Sequence, residues 1–77
     1  MNDFDGLVAI VTGAGSGIGL ATTRALVARG ARVGALDLEP PEAADGVIPV
    51  AADVTDQAAV DAAVATVARR FSGQRYT

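Results

Sequence analysis

Leu7-Val8-Ala9-Ile10-Val11-Thr12-Gly13-Ala14-Gly15-Ser16-Gly17-Ile18-Gly19 is the stretch that decides the fold. Five apolar residues in a row, without the alternation of a half-exposed strand, suit a strand covered on both faces. The glycines that follow suit a tight turn into a helix. A helix N-terminus presents backbone N–H groups with no internal partner and a partial positive charge, so anions settle there. Backbone reaches a phosphate closely only where Cβ atoms are absent, and a tight turn asks for positive φ, which glycine adopts without strain. Gly13, Gly17 and Gly19 are read as the carriers of the turn, with Gly15 adding flexibility. Gly13, Ser16, Gly17, Ile18 and Gly19 are the expected phosphate-binding positions.

Working outward, residues 18–29 read as a helix with Ile18, Ala21, Ala25 and Leu26 along one face, stopped by Gly30. A second strand is expected over residues 32–36, closed by Asp37. Residues 38–46 hold Pro40 and Pro41 and allow a turn of helix after the prolines. Residues 47–51 form a third strand despite Pro49, which is easiest to tolerate at an edge. Thr55 is the expected N-cap of a last helix, with Asp56 and Asp61 near its positive end. Val60, Val64, Val67 and Phe71 form its apolar stripe, Gly73 its stop, and Gln74, Arg75, Tyr76 and Thr77 a polar tail.

The order β-α-β-link-β-α implies right-handed crossovers and a three-stranded parallel sheet, order 3-2-1, with flanking helices. That is an α/β chain forming part of a doubly wound, or Rossmann, fold, so residues 1–77 read as the N-terminal half of a dinucleotide-binding domain. The outer edge of the first strand is expected to be open, and an open apolar edge invites self-association or a complementing chain.

Composition narrows the classes. With 77 residues, 51% hydrophobic, the chain holds one small core. A net charge of −3 and no basic cluster longer than Arg69-Arg70 argue against nucleic acid or an anionic membrane as partner. No apolar run approaches the ~20 residues of a membrane span. The acidic start, Asn2-Asp3-Phe4-Asp5, is unlike a secretion signal, so a cytoplasmic location is expected. There is no cysteine, hence no disulfide and no thiolate chemistry.

Two acidic residues fit a nucleotide. Asp37 follows Gly19 by eighteen residues and ends the second strand, where a carboxylate accepts hydrogen bonds from ribose hydroxyls and repels a 2′-phosphate. With Leu38 next to it, this favours NAD over NADP. Asp53, after the third strand, can accept from an adenine amino group, with Val54 packing on the ring. The plainer alternatives are a solvated Asp at a strand end and helix-start chemistry at Asp53-Val54-Thr55.

Thr12-Gly13-x-x-x-Gly17-Ile18-Gly19, Asp37 and Asp53-Val54-Thr55 together resemble the short-chain dehydrogenase/reductase family over roughly residues 5–72. The resemblance implies NAD as cofactor, with pyrophosphate at the turn, ribose at Asp37 and adenine at Asp53 and Val54. The family's oxidoreductase chemistry on an alcohol/carbonyl pair uses an Asn-Asn-Ala-Gly segment, a Ser and a Tyr-x-x-x-Lys arrangement. This sequence contains no lysine, and its one tyrosine is Tyr76, so no catalytic residue transfers. The expectation is a truncated cofactor-binding portion, not catalytic alone. The alternatives are a non-catalytic adenine-nucleotide or protein-binding module, or an inactive gene remnant.

Overall fold

The computed structural model describes residues 3–71 and 75–76. Its elements are β1 (Leu7–Thr12), α1 (Gly17–Ala28), β2 (Arg32–Asp37), β3 (Val47–Ala51), α2 (Gln57–Arg70) and β4 (Arg75–Tyr76). The sheet is parallel, in the order β3-β2-β1-β4, with Val8 opposite Arg32 and Val33 opposite Val47. The expected 3-2-1 order is therefore present. The plain polar tail is corrected, and the open edge in part: Arg75 and Tyr76 pair with Leu7 and Val8, while residues 9–12 of β1 pair only with β2 among the described residues. Two residues at the N-terminal end of β1 thus gain a neighbour that tail composition gave no hint of.

Strand alternation sorts β1 and β2 between two layers. Val8, Ile10 and Leu36 join Ile48, Val50, Ala63, Val67 and Phe71 in the main core under α2. Val33, Ala35 and Ala31 are buried on the opposite side, under α1. Gly34 lets α2 sit close to the sheet, since a Cβ there would lie 2.5 Å from Val67 Cγ2.

The helices differ from expectation in which residues face inward. On α1, Ile18 is 87% exposed, Ala21 and Ala25 are exposed, and the buried residue is Thr23, whose hydroxyl donates to the Gly19 carbonyl at 2.9 Å. The cause is at Gly19, where a Cβ would fall 2.0 Å from the Gly13 carbonyl oxygen. That contact fixes the rotation of α1 with Gly19 and Thr23 inward. Gly30, with φ 97°, follows the Arg29 C-cap as expected of a helix stop. On α2, Ala63 replaces the half-exposed Val64 in the stripe with Val60, Val67 and Phe71. Its N-cap is Asp56, accepting from Ala58 and Ala59 N–H, because the Thr55 hydroxyl is spent on Asp53. The helix passes into its C-cap at Phe71, and the stop assigned to Gly73 lies outside the described residues.

Residues 38–46 form no turn of helix. They must carry the chain back along β3, roughly 16 Å at 3.3 Å per strand residue, and helical rise at 1.5 Å per residue would fall short. The segment ends in a turn closed by Val47 N–H on the Ala44 carbonyl, with Gly46 at φ 82°. β3 is an edge strand. The Gly46 carbonyl and Ala52 N–H point to β2, so by alternation the Pro49 nitrogen faces outward, where no ladder hydrogen bond is lost.

Candidate functional site

The sequence-selected residues converge at the C-terminal ends of β1, β2 and β3. β1 runs out at Thr12, and Gly13 takes φ 65°, Gly17 φ 58°. These two glycines serve backbone conformation, because a Cβ on either would meet nothing within 4 Å. Gly15 and Gly19 serve close approach. A Cβ on Gly15 would lie 2.0 Å from the Glu39 carbonyl oxygen, so this glycine is a packing position and not the flexible spacer expected from sequence. The turn is docked to β2 by Ala14 N–H donating to the Leu36 carbonyl at 3.1 Å, and Ala14 is fully buried.

α1 begins with an uncapped N-terminus. Ser16 is the N-cap residue but its side chain makes no capping bond, and the first turn carries no acid. The first helical hydrogen bond is Leu20 N–H to the Ser16 carbonyl, which leaves the N–H groups of Gly17, Ile18 and Gly19 without an intrahelical acceptor. Such a set of amides, at the positive end of a helix dipole, accommodates an anion. The side chain of Ile18, which contributes one of these amides, is exposed.

Asp37 stands beside this turn. Its Oδ2 accepts from Gly15 N–H and its Oδ1 from Glu39 N–H, each at 3.0 Å. The Glu39 amide first, and then the Gly15 amide, hold its carboxyl below the usual carboxylate pKa. An ionised carboxylate offers about four lone-pair sites, so each oxygen can take a further hydroxyl donor. Asp53 Oδ1 accepts from Thr55 Oγ1 at 2.6 Å and from Thr55 N–H at 2.9 Å, and these bonds lower its pKa as well. Asp53 Oδ2 has no hydrogen bond among the described residues. Between the two aspartates lies a cavity of about 220 Å³, lined by Gly13, Asp37, Leu38, Ala52, Asp53, Val54 and Thr55. Leu38 and Val54, 70% and 47% exposed, give it apolar walls.

A second hollow, of about 390 Å³, opens beside Gly15 toward Thr23, Arg24, Pro41 and Glu42. Arg24 was missed in the sequence because it is distant in the chain from both the turn and Asp37. Its place one helical turn beyond Leu20 was the available signal. Among the described residues, no group of three or more His, Cys, Asp or Glu is gathered to hold a metal. No described helix is long and apolar enough to cross a membrane.

The sequence profile described as short chain dehydrogenase matches residues 7–74. The chain belongs to the short-chain dehydrogenase family. Within it, 2-(R)-hydroxypropyl-CoM dehydrogenase of Xanthobacter autotrophicus is 45% identical over 75 residues, covering 83% of this chain and 30% of that protein. D-threitol dehydrogenase of Mycolicibacterium smegmatis is 42% identical over 81 residues, covering 87% and 30%. The crystal structure of 3-ketoacyl-(acyl-carrier-protein) reductase from Brucella melitensis complexed with NADH superposes with a TM-score of 0.80 at 36% identity, covering 87% of this chain and 31% of that one. The chain thus spans about three tenths of the length of these relatives. Its partial Rossmann sheet, with α1 and α2 on opposite faces, matches the fold of that reductase.

Proposed function

We propose that this short-chain dehydrogenase chain forms the N-terminal, NAD-binding part of an oxidoreductase acting on an alcohol/carbonyl pair. The observation that carries the reading is the convergence of the Gly17, Ile18 and Gly19 amides with the Asp37 carboxylate and the Asp53–Val54 cavity on one edge of the sheet. The residues fit a dinucleotide. The α1 amides, with Gly13 and Ser16, hold the pyrophosphate; Asp37 accepts from the ribose hydroxyls; Asp53 Oδ2 takes the adenine amino group, with Val54 against the ring. Bound NAD supplies the hydride acceptor of alcohol oxidation. This chain's own residues bind and orient it. The sequence has no lysine and hence no Tyr-x-x-x-Lys arrangement, so it is not expected to catalyse alone.

NAD is preferred to NADP in this reading because Asp37 repels a 2′-phosphate and Leu38 offers it no charge. Arg24 lines the neighbouring hollow together with Glu42. The test is a two-dimensional amide NMR titration of the full chain with NAD and with NADP. Shifts confined to residues 13–19, Asp37 and residues 53–55, saturating at lower NAD than NADP, are expected. Shifts elsewhere, or none at millimolar NAD, overturn the reading. Asp37→Arg should move the preference toward NADP, and an unchanged ratio of dissociation constants removes the ribose assignment.

A further inference from the structure

We infer that Asp37 has a second task, resting on the reading above: its carboxylate clamps the glycine turn into its anion-binding shape before any ligand arrives. It is then a positioning residue for the phosphate end of the site as well as an acceptor for ribose. Gly15, in the turn, and Glu39, in the segment after β2, are far apart in sequence, yet their N–H groups meet on the two oxygens of one carboxylate, each at 3.0 Å. The contact is close on both sides. A Cβ on Gly15 would lie 2.0 Å from the Glu39 carbonyl oxygen and 3.1 Å from Asp37 Cγ, so turn and segment meet backbone to backbone around this side chain.

A turn with glycines at 13, 15, 17 and 19 has much conformational freedom to lose on binding. Ala14 N–H on the Leu36 carbonyl fixes its start, and the Asp37 carboxylate fixes it one residue further on, just before the amides of α1. A binding site ordered in advance loses less entropy when its ligand arrives. The chemistry of the clamp is specific, because the Gly15 and Glu39 N–H donors reach different oxygens of the one carboxylate. An asparagine at this place presents one oxygen and one NH₂ group, which would face an N–H head on.

The clamp and simple electrostatics make opposite forecasts. The carboxylate is negative and close to an anion site, so as a bystander it weakens anion binding, and its removal should tighten it. As a clamp it strengthens binding, and its removal should weaken it. Inorganic pyrophosphate separates the two, since it occupies the turn and has no ribose to meet Asp37.

The experiment compares wild type, D37N and D37E as full chains. Pyrophosphate affinity is measured by amide NMR, and hydrogen exchange of the bonded amides of the turn, Ala14, Gly15 and Leu20, is followed without ligand. Exchange at Val67, in the core, reports whether the fold is intact. Pyrophosphate affinity is expected to fall by about tenfold in D37N. It should also fall in D37E, which keeps the charge but moves the carboxylate by one methylene, and the hydrogen-bonded amides of Gly15 and Leu20 should exchange faster in both. Unchanged or tighter pyrophosphate binding in D37N, affinity unchanged in D37E, or unchanged exchange of the turn overturns the clamp. If wild type binds neither pyrophosphate nor NAD, the dinucleotide reading falls, and exchange in the ligand-free chains still decides the clamp.

Discussion

Gly19→Ala sets two physical effects against each other. Glycine inside a helix is destabilising by about 1 kcal/mol relative to alanine, so helix propensity forecasts a stabilised protein. The structure forecasts the reverse. A Cβ on Gly19 falls 2.0 Å from the Gly13 carbonyl oxygen and 2.6 Å from its carbonyl carbon. An ordinary C···O approach is about 3.3 Å, so the shortfall is about 1.3 Å. Neither side can yield cheaply. Gly13 is held at φ 65°, and the next residue, Ala14, is fully buried with its N–H on the Leu36 carbonyl. The first turn of α1 must therefore move away from β1 and loosen the packing around Thr23. Overpacking of this kind costs about 1–3 kcal/mol, and an approach of 2.0 Å to backbone held on both sides takes the upper half of that range, so with the propensity gain of about 1 kcal/mol set against it a net loss of about 1–2 kcal/mol remains. For a domain of this size that corresponds to a Tm lower by roughly 5–15 °C. Thermal and urea unfolding followed by circular dichroism give the number, and an NAD titration by amide NMR reports the displaced amides. A Gly19→Ala chain as stable as the parent, or more stable, with NAD binding intact, would refute the packing account.

Gly34→Ala should destabilise by about 1–3 kcal/mol through contact with Val67 and Ile10, and Val67→Ala in the same chain should recover part of the loss; additive effects in the double-mutant cycle would sink the idea. Asp56→Ala removes the cap that holds the Ala58 and Ala59 amides and should cost about 0.5–2 kcal/mol, seen as a lower urea midpoint at constant m. The lowered carboxyl pKa values of Asp37 and Asp53 predict a pH dependence of definite sign. Their contribution to stability is fully present above the ordinary value of 3.8 and is lost as pH falls through their lower folded values. The urea midpoint should therefore drop below about pH 4, and less so in Asp37→Asn/Asp53→Asn; an identical acid limb in that variant would show that other groups set it.

The strands were legible because their signals are local. Apolar runs at residues 7–11 and 47–51 and the punctuation by Gly13, Gly30 and Gly46 mark elements whatever packs on them. The positions of Gly13, Gly17, Asp37 and Asp53 were legible for the same reason, since a turn and two strand ends are set by short sequence. What stayed hidden depends on contact between distant residues. Ile18 and Thr23 exchanged faces because Gly19 must touch Gly13. Asp56 took the cap from Thr55 because Asp53 captured the threonine hydroxyl. The task of Gly15 could not be seen without the Glu39 backbone above it, and the pairing of Arg75 and Tyr76 with β1 follows from no property of their own sequence.

Pro49 gives the sheet a polarity of growth. With a ring where an outward N–H would stand, β3 cannot offer a continuous ladder to another strand. The opposite flank is different: beyond the two positions paired with β4, residues 9–12 of β1 have a further neighbour in β2 only, among the described residues. Adding a strand at β3 therefore forgoes one ladder hydrogen bond, whereas residues 9–12 of β1, with no proline, can continue the line that Arg75 and Tyr76 begin without that loss. The proline thus acts at a distance of two strands, by leaving the β1 flank as the side on which a strand adds with its ladder complete.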